Sequence, residues 1–270
     1  MGRAVRVMRS SAFLFAFTIY MVLAIGLGQR VLLWPAIWLF PARRRRMVRA
    51  WLRFHARSTL VMARGIANVR VSVRGSIPPE SCIVVMNHQS VLDIPIGLRL
   101  VPGPYPLIPT RDRYQWGVPG ISPLARLARY PFLSQKRALS RAELAALTDA
   151  AEQVARGEQS LLIFPEGHRS RDGGLGRFMR NGLRIFLSRA ERPVYCVAVH
   201  GMVNARTFAD GLANFANLDV RIAISDAITP PPRGSDEDTV DAFIDSLRQR
   251  MAAMLAELDG QSGTGSQSDA

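Results

Sequence analysis

Two short segments of the sequence place residues capable of acid-base chemistry directly after apolar runs. The first follows the run CIVVM and reads NHQSVLD, which contains Asn87, His88 and Asp93. An imidazole held by a carboxylate has a fixed tautomer and a stabilised protonated form, so it can take a proton from a hydroxyl. The side chains of His88 and Asp93 converge if a helical turn begins near Ser90. The segment therefore predicts a general base and its orienting carboxylate.

The second segment follows the apolar run SLLIF and reads PEGHRS. Gly167 lets the backbone come close to a ligand, and the guanidinium of Arg169 suits a phosphate or a carboxylate. Glu166 is placed either to accept a hydrogen bond from a substrate hydroxyl or to hold Arg169. Lys136 and Arg137, at the end of the string YPFLSQKR, form another candidate anion site. Either segment alone also fits an ordinary loop. The prediction of a functional site therefore depends on finding both segments in one chain.

The elements that must position these residues follow from the pattern of apolar runs. Strands are predicted over residues 69–73, 82–86, 106–109, 160–164, 194–199 and 220–224, and helices over 140–157, 178–190 and 236–258. Ser140 and Glu143 have the spacing of a capping box. Alternating strands and helices predict an α/β fold with a mixed sheet flanked by helices. In such folds ligands bind beyond the carboxyl ends of the strands, which is where both polar segments lie.

Other enzyme classes lack their signatures here. The sequence has no GxSxG, GxxxxGK[ST] or HExxH motif and no GxGxxG opening a helix, which argues against serine hydrolases, nucleotide triphosphatases and dinucleotide enzymes. Cys82 and Cys196 lie in apolar runs without the spacing of a disulfide framework or a zinc site. A metal-dependent hydrolase remains an alternative, with ligands drawn from His88, Asp93, Glu166 and His168.

The positive charge lies at one end of the chain. The 270 residues include 35 Lys plus Arg and 21 Asp plus Glu, a formal net charge of +14. No acidic residue precedes Glu80, whereas 14 arginines do, so the rest of the chain is neutral. These arginines flank apolar segments rather than aromatic residues that would stack on bases, which favours anionic lipid over nucleic acid as the partner. A non-enzymatic basic membrane-binding or nucleic-acid-binding protein is the alternative.

Two apolar runs occupy the same end. Residues 11–28 carry no charge, and after Gln29 and Arg30 the run resumes as VLLWPAIWLF. The first run is about the minimum length for spanning a hydrocarbon core, and basic residues flank the pair on both sides. This favours a re-entrant or interfacial helical hairpin, with Trp34, Trp38 and Trp51 at the level of the headgroups. A signal peptide and a pair of core helices are the alternatives.

Together, the polar segments resemble the motifs of the glycerolipid acyltransferase family, whose best-known members are the 1-acylglycerol-3-phosphate (lysophosphatidic acid) acyltransferases. NHQSVLD resembles N-H-x-x-x-x-D, and FPEGHRS resembles F-P-E-G-T-R-S, in the same order. Phe132 fits the family's G-x-I-F-I-x-R segment, whose arginine corresponds to Lys136 or Arg137. His168 replaces the family's threonine. The resemblance extends from residue 66 to 228, and the apolar pair is similar to the family's two-helix membrane motif.

The resemblance implies an O-acyltransferase. His88, oriented by Asp93, would deprotonate the hydroxyl of a lysophospholipid, and that oxygen would attack the thioester of acyl-CoA or acyl carrier protein. Backbone N–H groups near the His88 turn would stabilise the oxyanion. No cofactor and no metal is expected. The residues implied to bind substrate are Asn87, Phe132, Lys136, Arg137, Glu166, Gly167 and Arg169.

The favoured acceptor is 1-acylglycerol-3-phosphate, which would give phosphatidic acid. Another lysophospholipid, a lyso-ornithine lipid or glycerol phosphate is the alternative acceptor. The expected organisation has membrane-associating helices over residues 1–64, the acyltransferase domain over 65–228, a linker and an amphipathic helix over 229–258, and a disordered tail over 259–270. We expect the chain to bind anionic lipid on the cytoplasmic face of the inner cell membrane, with no nucleic-acid partner.

Overall fold

A mixed sheet forms the centre of the fold. The computed structural model describes residues 2–134 and 138–264. Its strands are β1 (Arg70–Arg74), β2 (Ile83–Met86), β3 (Pro106–Leu107), β4 (Thr110–Arg111), β5 (Phe132–Leu133), β6 (Ser160–Ile163), β7 (Val194–His200) and β8 (Asp219–Ile224). Within the described residues, six of them form a sheet in the order β1-β8-β7-β2-β6-β3, and β4 pairs with β5 separately. The predicted mixed α/β fold is thereby confirmed.

The middle strands are buried on both faces. In β2 every residue is buried, and Val84 pairs in parallel with Leu162 of β6 on one side and with Tyr195 of β7 on the other. This explains the unbroken apolar runs, because a parallel strand covered on both faces has no polar side. β7 and β8 are antiparallel. Since β2 and β6 are parallel neighbours, the two polar segments that follow them leave the sheet at the same edge.

Helices cover both faces of the sheet. They are α1 (Arg3–Tyr20), α2 (Trp34–Leu39), α3 (Arg44–Ala67), α4 (Asp93–Leu100), α5 (Ile121–Leu127), α6 (Arg141–Ala155), α7 (Arg180–Leu187), α8 (Phe208–Asn214) and α9 (Glu237–Thr264). Val84 and Met86 pack with α1, α3 and α4, whereas Ile83 and Val85 pack with α6, α7 and α9. This alternation is the period-2 pattern of a strand with a helix layer on each side.

The two N-terminal apolar runs form one continuous helix, Arg3–Leu39. The prediction that they form the two arms of a hairpin is therefore wrong. The helix passes through π-helical turns at Met21–Leu27 and Gln29–Leu33. The chain reverses at Phe40, and α3 then runs back antiparallel to the N-terminal helix. Arg9 Nε donates to the carbonyl of Ile66 at 3.1 Å, and Tyr20 contacts His55 at 2.5 Å. The hairpin therefore has this helix and α3 as its arms.

Local contacts explain why the helix continues through the polar residues Gln29 and Arg30. Gln29 is fully buried, and its amide donates to the carbonyl of Gly120 at 2.8 Å, while Arg30 is exposed. Pro35 lies in the first turn of α2, where a missing N–H costs little. Trp38 is 81% exposed, but Trp51 packs against Gly28 and His55. Trp51 is therefore part of the helix pair and not of an exposed aromatic belt.

By length and composition, Arg3–Leu39 is the one helix among the described residues that is able to cross a membrane, and only 17% of its most apolar window is buried. This burial is low for a core helix, because core helices cover their apolar side chains with other elements.

Two other helices test the predicted boundaries. The capping box of Ser140 and Glu143 at the start of α6 is confirmed. At the other end of the chain, α9 continues to Thr264, six residues beyond the predicted end at Leu258 and into the segment predicted to be disordered. The physical reason is that each residue added to an existing helix contributes another backbone hydrogen bond at small cost.

Candidate active site

The site begins where β2 ends. The side chain of Asn87 is buried, its amide nitrogen donates to the carbonyl of Val199 at 2.9 Å, and its amide oxygen accepts from the N–H of Val199 at 2.7 Å. Both polar atoms of the side chain are therefore used to hold the end of β2 against β7. The structure places Asn87 behind the site, where it fixes the backbone from which His88 projects.

His88 and Asp93 contact each other directly, with 2.6 Å between Nδ1 and Oδ2. The same carboxylate oxygen accepts from the backbone N–H groups of Gln89 at 2.6 Å and Ser90 at 2.7 Å. Asp93 is fully buried at the first residue of α4, where a negative charge is favoured by the helix dipole. Three donors and the helix terminus compensate for the loss of water around the carboxylate.

This contact fixes the tautomer of His88. Asp93 Oδ2 is an acceptor for two backbone N–H groups, so the ring nitrogen beside it must donate, which places the proton on Nδ1. Nε2 then carries the lone pair. The ring stacks on Phe164, with 4.3 Å between centroids, and the side chain is 15% exposed. Among the described residues no protein atom hydrogen-bonds Nε2, so this nitrogen is available to a substrate hydroxyl.

Glu166 links the two polar segments through the backbone. One carboxylate oxygen accepts from the N–H of His88 at 3.1 Å and the other from the N–H of Gly176 at 2.9 Å. Glu166 is buried and does not contact Arg169, so it holds the His88 turn and not the guanidinium. Burial raises the pKa of Glu166, and the two N–H donors act against that rise.

These contacts correct the predicted source of oxyanion donors. The backbone N–H groups of His88, Gln89 and Ser90 already donate to Glu166 and Asp93. They are not available to a substrate, because a carboxylate is a stronger acceptor than a thioester oxygen. On the neighbouring segment, the backbone N–H groups of His168 and Arg169 make no hydrogen bond with any of the described residues. Both of these residues line the cleft in front of His88.

A cleft of about 690 Å³ opens in front of His88 and Phe164. Its basic lining residues are Arg111, Arg113, His168, Arg169, Arg171 and Arg206, and no acidic residue is among the described residues that line it. Arg111 donates to the carbonyl of Gly167 at 2.8 Å through Nη2, and Arg169 donates to the carbonyl of Arg206 at 2.5 Å. Burial, together with nearby Arg113 and Arg169, lowers the pKa of Arg111. The cleft is therefore built for an anion.

The predicted site residues divide into four groups. His88, Gly167 and Arg169 line the cleft, with Gly167 in a left-handed conformation at φ +67° that a side chain would strain. Asn87 and Glu166 lie behind it and hold its backbone. Phe132 is half-buried in β5, paired with Thr110 of β4, and does not line the cleft. Lys136 and Arg137 lie outside the described residues.

Four of the six basic residues that line the cleft were not predicted from the sequence. Arg111 and Arg113 come from the string TRDR after β3, Arg171 follows the second polar segment, and Arg206 precedes α8. The string TRDR carries the clearest missed signal, because two arginines follow a predicted strand end. Arg206 has no local signal, since it reaches the cleft only through the packing of α8.

The structure gives less support to a metal site or to a cysteine nucleophile. No group of three or more His, Cys, Asp or Glu side chains within residues 2–134 and 138–264 is arranged to hold a metal ion. Cys82 and Cys196 are buried, and burial raises the pKa of their thiols to about 11 and about 12. Such thiols are not ionised near neutral pH, so neither is suited to act as a nucleophile.

Comparisons with known proteins show what the chain is similar to. The model of the family described as Acyltransferase matches residues 68–200, a range that contains His88, Asp93 and the second polar segment. A human relative named 1-acyl-sn-glycerol-3-phosphate acyltransferase alpha is 25% identical over 213 residues, covering 77% of this chain and 72% of the relative. A Pseudomonas aeruginosa relative named 1-acyl-sn-glycerol-3-phosphate acyltransferase is 28% identical over 166 residues, or 59% of each chain.

A solved structure supports the fold. The 1-acyl-sn-glycerophosphate (LPA) acyltransferase PlsC from Thermotoga maritima matches with a TM-score of 0.69 and 23% identity, covering 96% of this chain and 98% of the other. At this level of identity the match speaks for the fold alone. The family model goes further than the fold, because its match contains His88, Asp93 and Arg169. The chain is therefore similar to the acyltransferase family over the part of the sequence that holds the candidate site.

Proposed function

We propose that the protein transfers a fatty acyl group from acyl-CoA or acyl carrier protein to the free hydroxyl of a lysophospholipid. The observation that carries this proposal is the pairing of His88 with Asp93 at the floor of a cleft lined by arginines. A base with a free Nε2 suits deprotonation of a hydroxyl, and the basic lining suits an anionic head group on the same molecule.

The proposed reaction balances without a cofactor. Nε2 of His88 takes the proton from the acceptor hydroxyl, and the oxygen forms a bond to the thioester carbonyl carbon. The tetrahedral intermediate then collapses with cleavage of the C–S bond, and the imidazolium returns its proton to the leaving thiolate. The products are an acyl ester and a free thiol. Asp93 stabilises the imidazolium in between, which is the role of the carboxylate in other His-carboxylate pairs.

The charge on the carbonyl oxygen needs donors, and we assign them to the segment after β6. The backbone N–H groups of His168 and Arg169 are unpaired within the described residues, and both residues line the cleft. Preorganised N–H groups of this kind stabilise an oxyanion without reorganising during the reaction. The left-handed conformation of Gly167 directs the chain so that these two groups follow the turn.

The acceptor phosphate would bind to Arg111 and Arg169. Both guanidinium groups are held by backbone carbonyls, so they are positioned before the substrate arrives. Lys136 and Arg137 are proposed to assist from the segment between β5 and α6. The names of the human and Pseudomonas aeruginosa relatives favour 1-acylglycerol-3-phosphate as the acceptor and phosphatidic acid as the product. An arginine-lined cleft also favours a phosphate monoester over a zwitterionic head group.

The N-terminal helix would bring the active site to its substrates. Its exposed face is apolar, and the arginines around it match anionic lipid head groups. We propose that the protein binds the cytoplasmic face of the inner cell membrane, since arginines flank the apolar segment on both sides.

Membranes from cells expressing the protein test this proposal when they are supplied with acyl-CoA or acyl carrier protein donors and a panel of lysophospholipid acceptors. We expect labelled phosphatidic acid from 1-acylglycerol-3-phosphate, and none above background with His88→Ala. Turnover by His88→Ala equal to that of the unaltered protein would refute the mechanism. Preference for another lysolipid would refute only the acceptor.

Asp93→Asn tests the orienting role separately. The amide oxygen would keep the hydrogen bonds from Nδ1 and the two backbone N–H groups, but it carries no negative charge to stabilise the imidazolium, so we expect kcat to fall on the order of 10²- to 10⁴-fold while the fold is retained. Asp226→Asn, at an exposed position outside the site, is the matched control and should leave kcat unchanged. A similar kcat for the two variants would show that His88 does not depend on its carboxylate.

A further inference from the structure

Helix α8 packs beside the N-terminal helix. Ser11 Oγ donates to the carbonyl of Leu212 at 3.1 Å, and the rings of Phe17 and Phe208 stack with 6.2 Å between centroids. Phe13 meets Phe215, at the end of α8, edge to face at 5.3 Å. These contacts fix α8 against α1 along its whole length.

The outward side of α8 is apolar. Phe208 is 45% exposed and Leu212 is 53% exposed, and a spacing of four residues places them on one face of the helix. On α1, the exposed residues Met8, Phe15 and Ile19 also share one face. The contact of Ser11 with Leu212 joins the two faces at their border. We call the five exposed residues of these two neighbouring faces the α1–α8 surface.

This surface reaches the mouth of the cleft. Arg206 and Thr207 line the cleft and directly precede Phe208. The hydroxyl of Thr207 accepts from the N–H of Asp210 at 3.1 Å, and this cap fixes the start of α8 at the cleft wall. The wall that binds the anionic part of a substrate therefore ends where the apolar surface begins.

We propose that Phe208 and Leu212 form a second lipid contact, which holds the mouth of the cleft on the bilayer surface. The occupant is a bilayer that contains anionic phospholipid. The neighbouring exposed apolar face of α1 supports this occupant, and so does charge, because Arg206 lies directly before α8 at the cleft wall. The inference rests on the membrane association in the proposed function, and it adds that the catalytic domain itself contacts the lipid.

The test compares two leucines in purified full-length protein. Leu212→Glu places a charge on the α1–α8 surface, and Leu144→Glu places the same charge on α6, where Leu144 is 46% exposed in the opposite helix layer. Both variants are mixed with vesicles of phosphatidylcholine and phosphatidylglycerol in equal amounts and sedimented. We expect Leu212→Glu to weaken vesicle binding about tenfold and Leu144→Glu to leave it unchanged, since burial of a leucine side chain in lipid contributes on this scale.

Kinetics provide a second measurement. With the acceptor presented in vesicles, Leu212→Glu should raise KM for the acceptor, while a short-chain acceptor dissolved as monomers should be acylated at the normal rate. Equal vesicle binding by the two leucine variants would overturn the proposal. So would a stable dimer of the unaltered protein that Leu212→Glu dissociates, because α8 would then bind a second copy of the chain.

The outcomes separate this proposal from the proposed function. If the unaltered protein acylates no lysophospholipid but binds vesicles through Leu212, the function fails and the lipid contact stands. If it acylates lysophospholipid and both leucine variants behave alike in both measurements, the lipid contact fails and the function stands. Circular dichroism and a thermal melt confirm that both variants are folded.

Discussion

The two helix layers on the central sheet differ in what they expose. In the layer of α6, α7 and α9, arginines on α7 pair with acids on α9: Arg180 and Arg184 each contact Asp241 at 2.5 Å. In the other layer, α1 and α3 carry ten arginines and no acid, and large apolar side chains lie exposed between them. Buried aliphatic side chains line the inner side of both layers.

This difference shows that the apolar surface of the N-terminal half is not a defect of packing. The N-terminal helix contributes fully buried side chains to the core and exposed ones to the outside within the same turns. A soluble monomer rarely exposes apolar side chains in contiguous patches, and ion pairs such as those of α7 and α9 are its usual outer surface. One layer is therefore suited to water, and the other to the lipid contact we propose.

The sharpest test of this comparison substitutes two aromatic residues of the same helix. Phe13→Ala should lower the free energy of unfolding by about 3–5 kcal/mol, because Phe13 is fully buried against Phe215 and would leave a cavity. Trp38→Ala should leave stability unchanged within about 0.5 kcal/mol but weaken vesicle binding, because Trp38 is exposed. Denaturant unfolding and vesicle sedimentation measure the two effects.

We also expect that deletion of all residues before Arg49 would not leave a soluble, folded catalytic domain. Phe13, Leu14 and Val48 belong to the core that covers β2, so their loss would expose that core. A truncated chain that stays folded and monomeric would contradict the assignment of the N-terminal helix to the core.

A second prediction addresses the joint between the N-terminal helix and the loop that follows Tyr114. A Cβ at position 120 would lie 2.9 Å from the carbonyl oxygen of Met21, and Gly120 has φ +75°. Gly120→Ala should therefore lower stability by about 2–3 kcal/mol, through backbone strain and the clash together. Gly117 has φ +84° with open space around it, so Gly117→Ala should cost only the strain, about 1 kcal/mol. Equal losses of stability in the two variants would show that the contact between Gly120 and the N-terminal helix is not closely packed.

The smallest expected effect on stability concerns the layer of α6, α7 and α9, which is suited to water. Hydrogen bonds from Arg184 and Arg180 lower the pKa of Asp241 from 3.8 to about 2. A carboxyl group with a lowered pKa stabilises the fold above its unfolded pKa, and this contribution disappears as the pH falls from about 4 towards 2. Asp241→Asn should therefore cost about 1 kcal/mol at neutral pH and little at pH 2.

A neighbouring acid provides the control for that prediction. Asp238 lies in the first turn of the same helix, and it forms no ion pair with any residue that the structure describes. Asp238→Asn should leave the pH dependence of unfolding unchanged. A pH-independent loss for Asp241→Asn would show that packing, and not charge, holds α7 to α9.

The sequence predicts those parts of the site that depend on short-range geometry. His88 and Asp93 are five residues apart on one turn, and both polar segments follow apolar runs that can only be buried strands. Their convergence at one edge follows from the parallel pairing of β2 and β6. Glu166 could not be assigned in this way, because its partners are backbone N–H groups, and a backbone N–H carries no sequence signal.

Long-range packing also explains the other differences. Arg206 enters the cleft because α8 packs on α1, and α8 itself is a short helix whose apolar pattern covers two turns. The predicted turn of the hairpin lies at Gln29 and Arg30, because these polar residues interrupt the apolar sequence. In the structure the helix continues through them. Gln29 finds a partner in Gly120, 91 residues away, and no local pattern indicates that contact.

The length of the N-terminal helix has a geometric consequence. At the α-helical rise of 1.5 Å per residue its 37 residues would extend about 55 Å, and the π-helical turns shorten this somewhat, whereas a hydrocarbon core is about 30 Å thick. It is too long for an upright anchor of one span, and Ser10, Phe13 and Phe17 fix its first half to the rest of the fold. In the membrane association that we propose, the helix and the catalytic domain would therefore tilt together, and the angle between the cleft and the lipid would be set by rigid packing and not by a flexible tether.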